Sequence, residues 1–192
     1  HYESRKNSSL WVAWGLMGLK QINKQTYTSS TNSGTITGVS SNNPHMLVGH
    51  SLNNIDNAGV MDFKFTVSGS PTSASTYDIA YIDLKAHESF QKFGNPNQDM
   101  FRMTDDMGHA GNVGNSLNFV ITAFNMQSTD EYVFANYEIT SNQNNTSKPL
   151  RGYQGAVVVT DSVSTQYDGF SFNLNGTNGL GSGTLTLYEI LP

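Results

Sequence analysis

The chain has 192 residues, a net charge of −5 and no cysteine. Without cysteine it can form no disulfide, no cysteine-based zinc site and no thiol nucleophile. Its acidic balance, with no basic cluster beyond Arg5-Lys6, argues against nucleic-acid binding through phosphate contacts. An aromatic share of 11% excludes a disordered chain, and a charged share of only 13% predicts a surface rich in amides and hydroxyls. The length fits a single domain over residues 1–192.

The N-terminal segment is the least regular part of the chain. Residues 10–19 are apolar but too few to span a bilayer, so we expect no membrane insertion. Glycines within this stretch argue against a long helix. We expect residues 1–30 to be an interface or connecting segment, in which Trp11 and Trp14 fill a core or a subunit interface. A sugar-stacking platform is the alternative for these two side chains.

Short runs of alternating apolar and polar residues follow, and they predict β-strands rather than helices. Such runs occupy residues 61–67, 77–85, 117–123 and 133–139, and residues 156–159 form a short continuous apolar run typical of a central strand. Within 77–85 the apolar positions change phase, which predicts a bulge or a strand that changes sheets. Turn-rich segments separate the runs. The pattern predicts an all-β protein, an antiparallel β-sandwich with jelly-roll topology and about eight to ten strands.

The end of the chain contains two further alternating runs. Phe170, Phe172 and Leu174 alternate with polar residues, as do Leu185 and Leu187. Because a segment rich in Gly and Asn joins them, we predict a hairpin whose last strand is built into a sheet.

Motifs of common enzymes are absent: there is no Gly-x-Ser-x-Gly elbow, no His-Glu-x-x-His pair and no phosphate-binding loop. Paired carboxylates could hydrolyse a glycosidic bond if two strands held them on either side of a cleft. Asp62 and Asp83 fall within predicted strands, but nothing in the sequence pairs them. We therefore expect no enzymatic activity.

The best candidate for a metal site is a glycine-rich loop that contains Asp105, Asp106 and His109. Oxygen ligands there could hold calcium, although the Asp-x-Asp-x-Asp-Gly pattern is absent and ordinary turn chemistry explains the loop equally well. We expect no cofactor, with calcium as the alternative. His45 and His50 are five residues apart, which places them on opposite faces of a strand and excludes joint ligation.

The closing pattern resembles the end of a jelly-roll module found in many bacteriophage virion proteins. Within residues 181–188, Ser182-Gly183-Thr184 and Leu187-Tyr188 match that ending, as does Ile190, while Glu189 replaces a usual glycine. Residues 77–82 and Arg102-Met103 resemble two upstream strands of the module. The resemblance is specific at the end of the chain, looser in the middle and absent from residues 1–45.

This resemblance implies a virion structural protein at the particle surface, often a homotrimer. We expect a tail-fibre or receptor-binding domain whose partners are other virion proteins and a host cell-surface glycan or protein. Tyr27, Tyr132 and Tyr153 are the candidate ligand contacts. Two alternatives remain open: a capsid decoration or capsid-associated protein, and a carbohydrate-binding module of a secreted enzyme. A glycan depolymerase is a further, less favoured reading.

Overall fold

The computed structural model describes residues 18–54, 59–73, 75–86, 89–107, 116–141, 150–175 and 179–192. Within these ranges the chain forms thirteen β-strands and no helix. The strands are β1 (Gly18–Tyr27), β2 (Ser33–Thr37), β3 (His45–Asn54), β4 (Gly59–Val67), β5 (Ser70–Pro71), β6 (Tyr77–Lys85), β7 (Gln91–Gln98), β8 (Phe101–Met107), β9 (Leu117–Phe124), β10 (Val133–Ser141), β11 (Arg151–Val159), β12 (Gly169–Asn175) and β13 (Leu180–Leu191).

The strands form two antiparallel sheets that pack face to face. The large sheet has the order β1-β13-β3-β9-β10-β11-β6-β7. The small sheet has the order β2-β12-β4-β5, and β8 also pairs with β4. The prediction of an all-β antiparallel sandwich is confirmed, with thirteen strands rather than eight to ten. Three consecutive strands, β9 to β11, form a meander inside the large sheet, while most other connections cross between the sheets.

Aromatic side chains fill the space between the sheets. Phe65 of β4 lies at the centre, with ring centroids 5.2 to 6.2 Å from those of Phe170, Tyr167, Phe101 and Tyr77. These rings are buried, and offset or tilted aromatic contacts at such distances stabilise a core beyond their burial alone. The alternating runs at 61–67, 117–123 and 133–139 turn their apolar rows inward, as predicted, except that Val67 at the end of the first run is 38% exposed.

The predicted C-terminal hairpin is wrong, because β12 and β13 belong to different sheets. β12 pairs with β2 and β4 in the small sheet, whereas β13 lies between β1 and β3 in the large sheet. Alternation shows which face of a strand is buried but does not identify its neighbour. The two apolar faces meet across the core instead of lying side by side. The last strand is nevertheless built into a sheet, as predicted.

The phase change within 77–85 marks neither a change of sheet nor a bulge at that point; the register of β6 against β7 shifts earlier, between Tyr77 and Ile79. Tyr77, Ile79 and Tyr81 point inward, and Asp83 continues the same buried row, while Ile82 is exposed on the outer face. β6 stays in the large sheet between β11 and β7. A charged residue at an inward position made the alternation look broken in the sequence.

An ion pair makes the burial of Asp83 possible. Arg151 donates to the carboxylate through Nε at 3.1 Å and through Nη2 at 2.7 Å, and Lys85 Nζ lies 3.7 Å from Oδ2. The guanidinium of Arg151 also lies over the Tyr153 ring, 5.1 Å from its centroid. A buried carboxylate is tolerated when cations and hydrogen bonds of this kind surround it.

Arg151→Ala should therefore destabilise the fold strongly. Removing the bidentate partner leaves a buried carboxylate with Lys85 as its nearest cation, and we expect the free energy of unfolding to fall by about 3 kcal/mol. Urea denaturation measures this change. Lys20→Ala is the control, because Lys20 pairs with Glu189 while 62% of its side chain is exposed, and exposed pairs contribute at most about 1 kcal/mol. Equal effects of the two substitutions would contradict the role given to Arg151.

Candidate functional site

The outer face of the small sheet carries two rows of polar side chains. Strand pairing aligns β2, β12 and β4 so that their outward positions lie side by side across the sheet. The first row comprises Ser33, Asn173 and Asp62, and the second comprises Thr35, Ser171 and Lys64. Arg102 of β8 extends the first row, since its backbone pairs with that of Asp62. Residues that are distant in the sequence thus form one continuous polar floor.

Loops turn this floor into a groove of about 550 Å³. Pro71, Thr72, Ser73 and Met100 form its walls. The Thr72 backbone N–H donates to the Phe65 carbonyl at 3.1 Å, and its hydroxyl lies 2.7 Å from the hydroxyl of Tyr77. One wall is therefore fastened to the core, and the volume lies within the range of small-molecule and oligosaccharide sites.

The charges of the groove are partly neutralised within it. The Asp62 side chain is almost completely buried, and Arg102 Nε donates to its Oδ1 at 3.3 Å. Lys64 is half-buried beside Ser171. The floor thus offers hydroxyls, an amide, one carboxylate and the Lys64 cation within a short distance. Such a set suits a ligand that both donates and accepts many hydrogen bonds.

The two carboxylates that the sequence suggested for glycoside hydrolysis are not brought together. Asp62 faces outward from the small sheet, while Asp83 faces into the core from the large sheet. The structure therefore does not place these two groups on either side of one bond.

The three candidate tyrosines lie far apart in the fold. Tyr27 is half-buried beside the groove, where its ring meets that of Phe172 edge to face at 5.5 Å and burial raises its pKa to about 12. Tyr132 precedes β10 and is 41% exposed. Tyr153 is 3% exposed and lies under the Arg151 guanidinium. Of the three, Tyr132 offers the most ring surface to a ligand.

Several sequence predictions concern residues whose side chains the structure does not describe. Trp11, Trp14 and His109 lie outside the described residues altogether, and for Asp105 and Asp106 only the backbone of β8 is described. The interface and calcium hypotheses for these residues therefore stay predictions. Among the residues that are described, no three His, Asp or Glu side chains are grouped to hold a metal ion, and no helix could cross a membrane.

A second polar cluster lies at the end of β13. The Glu189 carboxylate accepts hydrogen bonds from Ser41 Oγ at 2.6 Å, Asn43 Nδ2 at 2.9 Å and Lys20 Nζ at 3.0 Å. These three donors lower its pKa to about 2. The cluster ties β1 and the segment before β3 to β13, so we assign it a structural role. His45 and Glu189 are paired across β3 and β13.

His45 and His50 lie on opposite faces of β3, as their spacing predicted. His45 is completely buried, while His50 is exposed. Burial lowers the pKa of His45, and the nearby Glu189 carboxylate only partly opposes that effect.

Sequence reasoning missed most of the groove. Apart from Asp62, its floor consists of Ser, Thr, Asn and Lys side chains at outward positions of ordinary strands. Such residues give no local signal, and only the register of strand pairing brings them together.

Comparisons with known proteins leave the family of this chain open. No protein-family model matches it, and no curated protein matches it. A solved structure of the CBM2 module of the evolved Dit of Lactobacillus casei BL23 phage J-1 shares 12% identity with it, over 87% of this chain and 75% of that one, with a TM-score of 0.23. A likeness this low carries no argument about fold or function.

His45 should make the fold sensitive to mild acid. The unfolded chain binds a proton at this residue with a pKa of about 6.5, and the folded chain binds it more weakly. The unfolded state therefore takes up more protons, and stability is lost as the pH falls below about 6.5. Glu189 adds a loss of the same sign between its ordinary pKa of 4.5 and about 2.

His45→Leu should reduce the loss of stability between pH 7.5 and pH 5.5, because the buried group can no longer take up a proton. Urea denaturation at the two pH values measures the difference. His50→Leu is the matched control on the same strand and should keep the wild-type pH dependence. An unchanged pH dependence in His45→Leu would contradict the assignment.

Proposed function

We propose that this chain is a receptor-binding module of a bacteriophage virion, and that the groove on its small sheet binds a glycan of the host surface. The observation that carries the proposal is the pair of polar rows on the outer face of β2, β12 and β4. A glycan presents many hydroxyls that donate and accept hydrogen bonds, and the floor of the groove presents groups of both kinds.

The walls of the groove support the same class of ligand. Pro71 and Met100 add apolar surface beside the polar floor, and a sugar ring has apolar C–H faces as well as hydroxyls. Ligand sites of this kind combine apolar lining with a few polar groups that fix orientation. Lys64 allows an acidic sugar to bind as well, while Asp62 limits the net positive charge.

The C-terminal resemblance supports the placement on a virion. Gly183, within its Ser-Gly-Thr segment, has a φ of +127°, and a Cβ there would lie 2.7 Å from Leu52 Cα. The register of β13 against β3 shifts at the same place. The glycine of the motif thus has a structural reason to be present.

The groove is also compatible with a carbohydrate-binding module of a secreted enzyme. Where the chain is found, on phage particles or free in the medium, distinguishes the two functions. Immunogold labelling with antibodies against the chain should mark phage particles. Labelling absent from particles, with the chain found free in the culture medium, would favour the secreted module.

Asn173→Trp should abolish glycan binding, because Asn173 is exposed on the groove floor and an indole there would fill the groove. An array of bacterial surface polysaccharides measures binding, and we expect at least a tenfold loss of affinity for every polysaccharide that the wild type binds.

Lys64→Ala should weaken binding to acidic polysaccharides more than to neutral ones.

Gln21→Trp is the matched control, since Gln21 is exposed on β1 of the large sheet and does not line the groove. It should bind as the wild type does. Thermal unfolding checks that both tryptophan variants are folded. If the wild type retains no polysaccharide, or if a folded Asn173→Trp binds normally, the glycan proposal fails.

A further inference from the structure

The outer face of the large sheet exposes several apolar side chains among polar ones over four adjacent strands, β10, β11, β6 and β7. Phe134 is 46% exposed there, Ile82 40% and Leu84 37%. The neighbouring outward positions include the small residues Ala80 and Ala156. We call this four-strand surface the outer apolar face. Several large exposed apolar side chains grouped on one face of a folded domain commonly mark an interaction site.

Strand pairing arranges this face in rows that cross the strands. One row is Glu138, Gln154, Ile82 and Lys92, the next is Asn136, Ala156, Ala80 and Gly94, and a third is Thr140, Gly152 and Leu84. In each row the position between β11 and β6 is the centre. A two-fold axis parallel to the strands at that centre would place β10 of one copy over β7 of the other, and β11 over β6.

The charges of the first row are complementary under that two-fold axis. Glu138 lies at one end of the row and Lys92 at the other, so each would face its opposite on the second copy. Within one chain they are separated by three strand spacings, about 14 Å, which is too far for an ion pair. The charges at the two ends of the row are therefore complementary to those of a second copy whose row runs in the opposite direction.

The second and third rows are complementary in part. Asn136 of one copy would face Gly94 of the other, which sets a protruding side chain against a position without one. Leu84 would face Gly152, beside the Leu84 side chain that already lies next to Gly152 within each chain. The row that contains Phe134 would place Val158 against Asp78. Ala80 would face Ala156, which allows the two sheets to approach closely at the centre.

Sheet twist does not remove this match. Packed sheets cross at about 30°, which displaces the ends of a row by only about 4 Å relative to each other, and the Lys92 and Glu138 side chains can span that distance. We do not expect a second copy to pair edge to edge with β7. This strand contains Pro96, which has no N–H to donate, and Asn97 has a φ of +55°.

We propose that a second copy of this chain packs on the outer apolar face and forms a two-fold symmetric dimer. The face measures about 19 Å across four strands and about 23 Å along them. Two copies would bury about 900 Å² of surface, less than most specific interfaces bury and typical of a weak contact, so the dimer should dissociate on dilution. A two-fold contact also differs from the trimer that the virion resemblance implied.

Light scattering and sedimentation equilibrium of the full chain test the proposal. We expect a mass that rises with concentration towards about twice the 21.0 kDa of one chain. Lys92→Glu alone and Glu138→Lys alone should each raise the dissociation constant about tenfold, because each places like charges at both ends of the contact. The double variant with both changes should restore dimerisation to near the wild-type level.

Leu84→Lys and Val67→Lys form a matched pair, since the two residues are 37% and 38% exposed. Val67 lies at the end of β4 in the small sheet, away from the proposed contact, so only Leu84→Lys should weaken the dimer. Thermal unfolding checks that each variant is folded. A chain that stays monomeric at every concentration, a trimer, or a dimer that the charge changes do not affect would overturn the proposal.

Discussion

The register of β12 between β2 and β4 determines both the core and the groove. Phe170 and Phe172 pair with Phe65 and Phe63 of β4 on the buried face. The same register aligns the intervening polar residues on the opposite face. Because side chains alternate along a strand, a slip of one residue would expose the phenylalanines and bury the polar rows. The free energy that selects the core register therefore also positions the groove, with no separate interaction required.

Two carboxylates illustrate how the same fold accommodates buried charge in different ways. Asp83 faces the core, and Arg151 neutralises it in a bidentate contact. The stability of the fold with this charge buried therefore depends on Arg151. Glu189 lies at the end of a strand and is held by two neutral donors and one exposed lysine. Losing the cation matters more at Asp83, because the interior offers no water to replace it. At Glu189, solvent and the two neutral donors remain.

The sequence predicted the buried faces of most strands but not their neighbours. At 61–67 and 133–139, alternation is a local property, and the predicted inward residues are buried apart from Val67. The error at β12 and β13 arose because pairing depends on contacts far apart in the chain. Asp83 was misread because an inward charge interrupts the apolar pattern. Tyr153 belongs to the inward row of β11 with Val157 and Val159, but the continuous apolar run nearby hid that alternation. The groove could not be predicted for the same non-local reason.

The groove and the outer apolar face lie on opposite outer surfaces of the sandwich, and this limits how a dimer could use its grooves. Joining two large sheets would give four stacked layers spaced about 10 Å apart, with a small sheet at each end. The two grooves would then point in opposite directions, so one flat cell surface could reach only one of them. Both grooves of one dimer could be occupied together only by separate glycan chains or by a long chain that bends around it. Any gain in avidity on a flat surface would therefore have to come from several dimers held side by side in a particle.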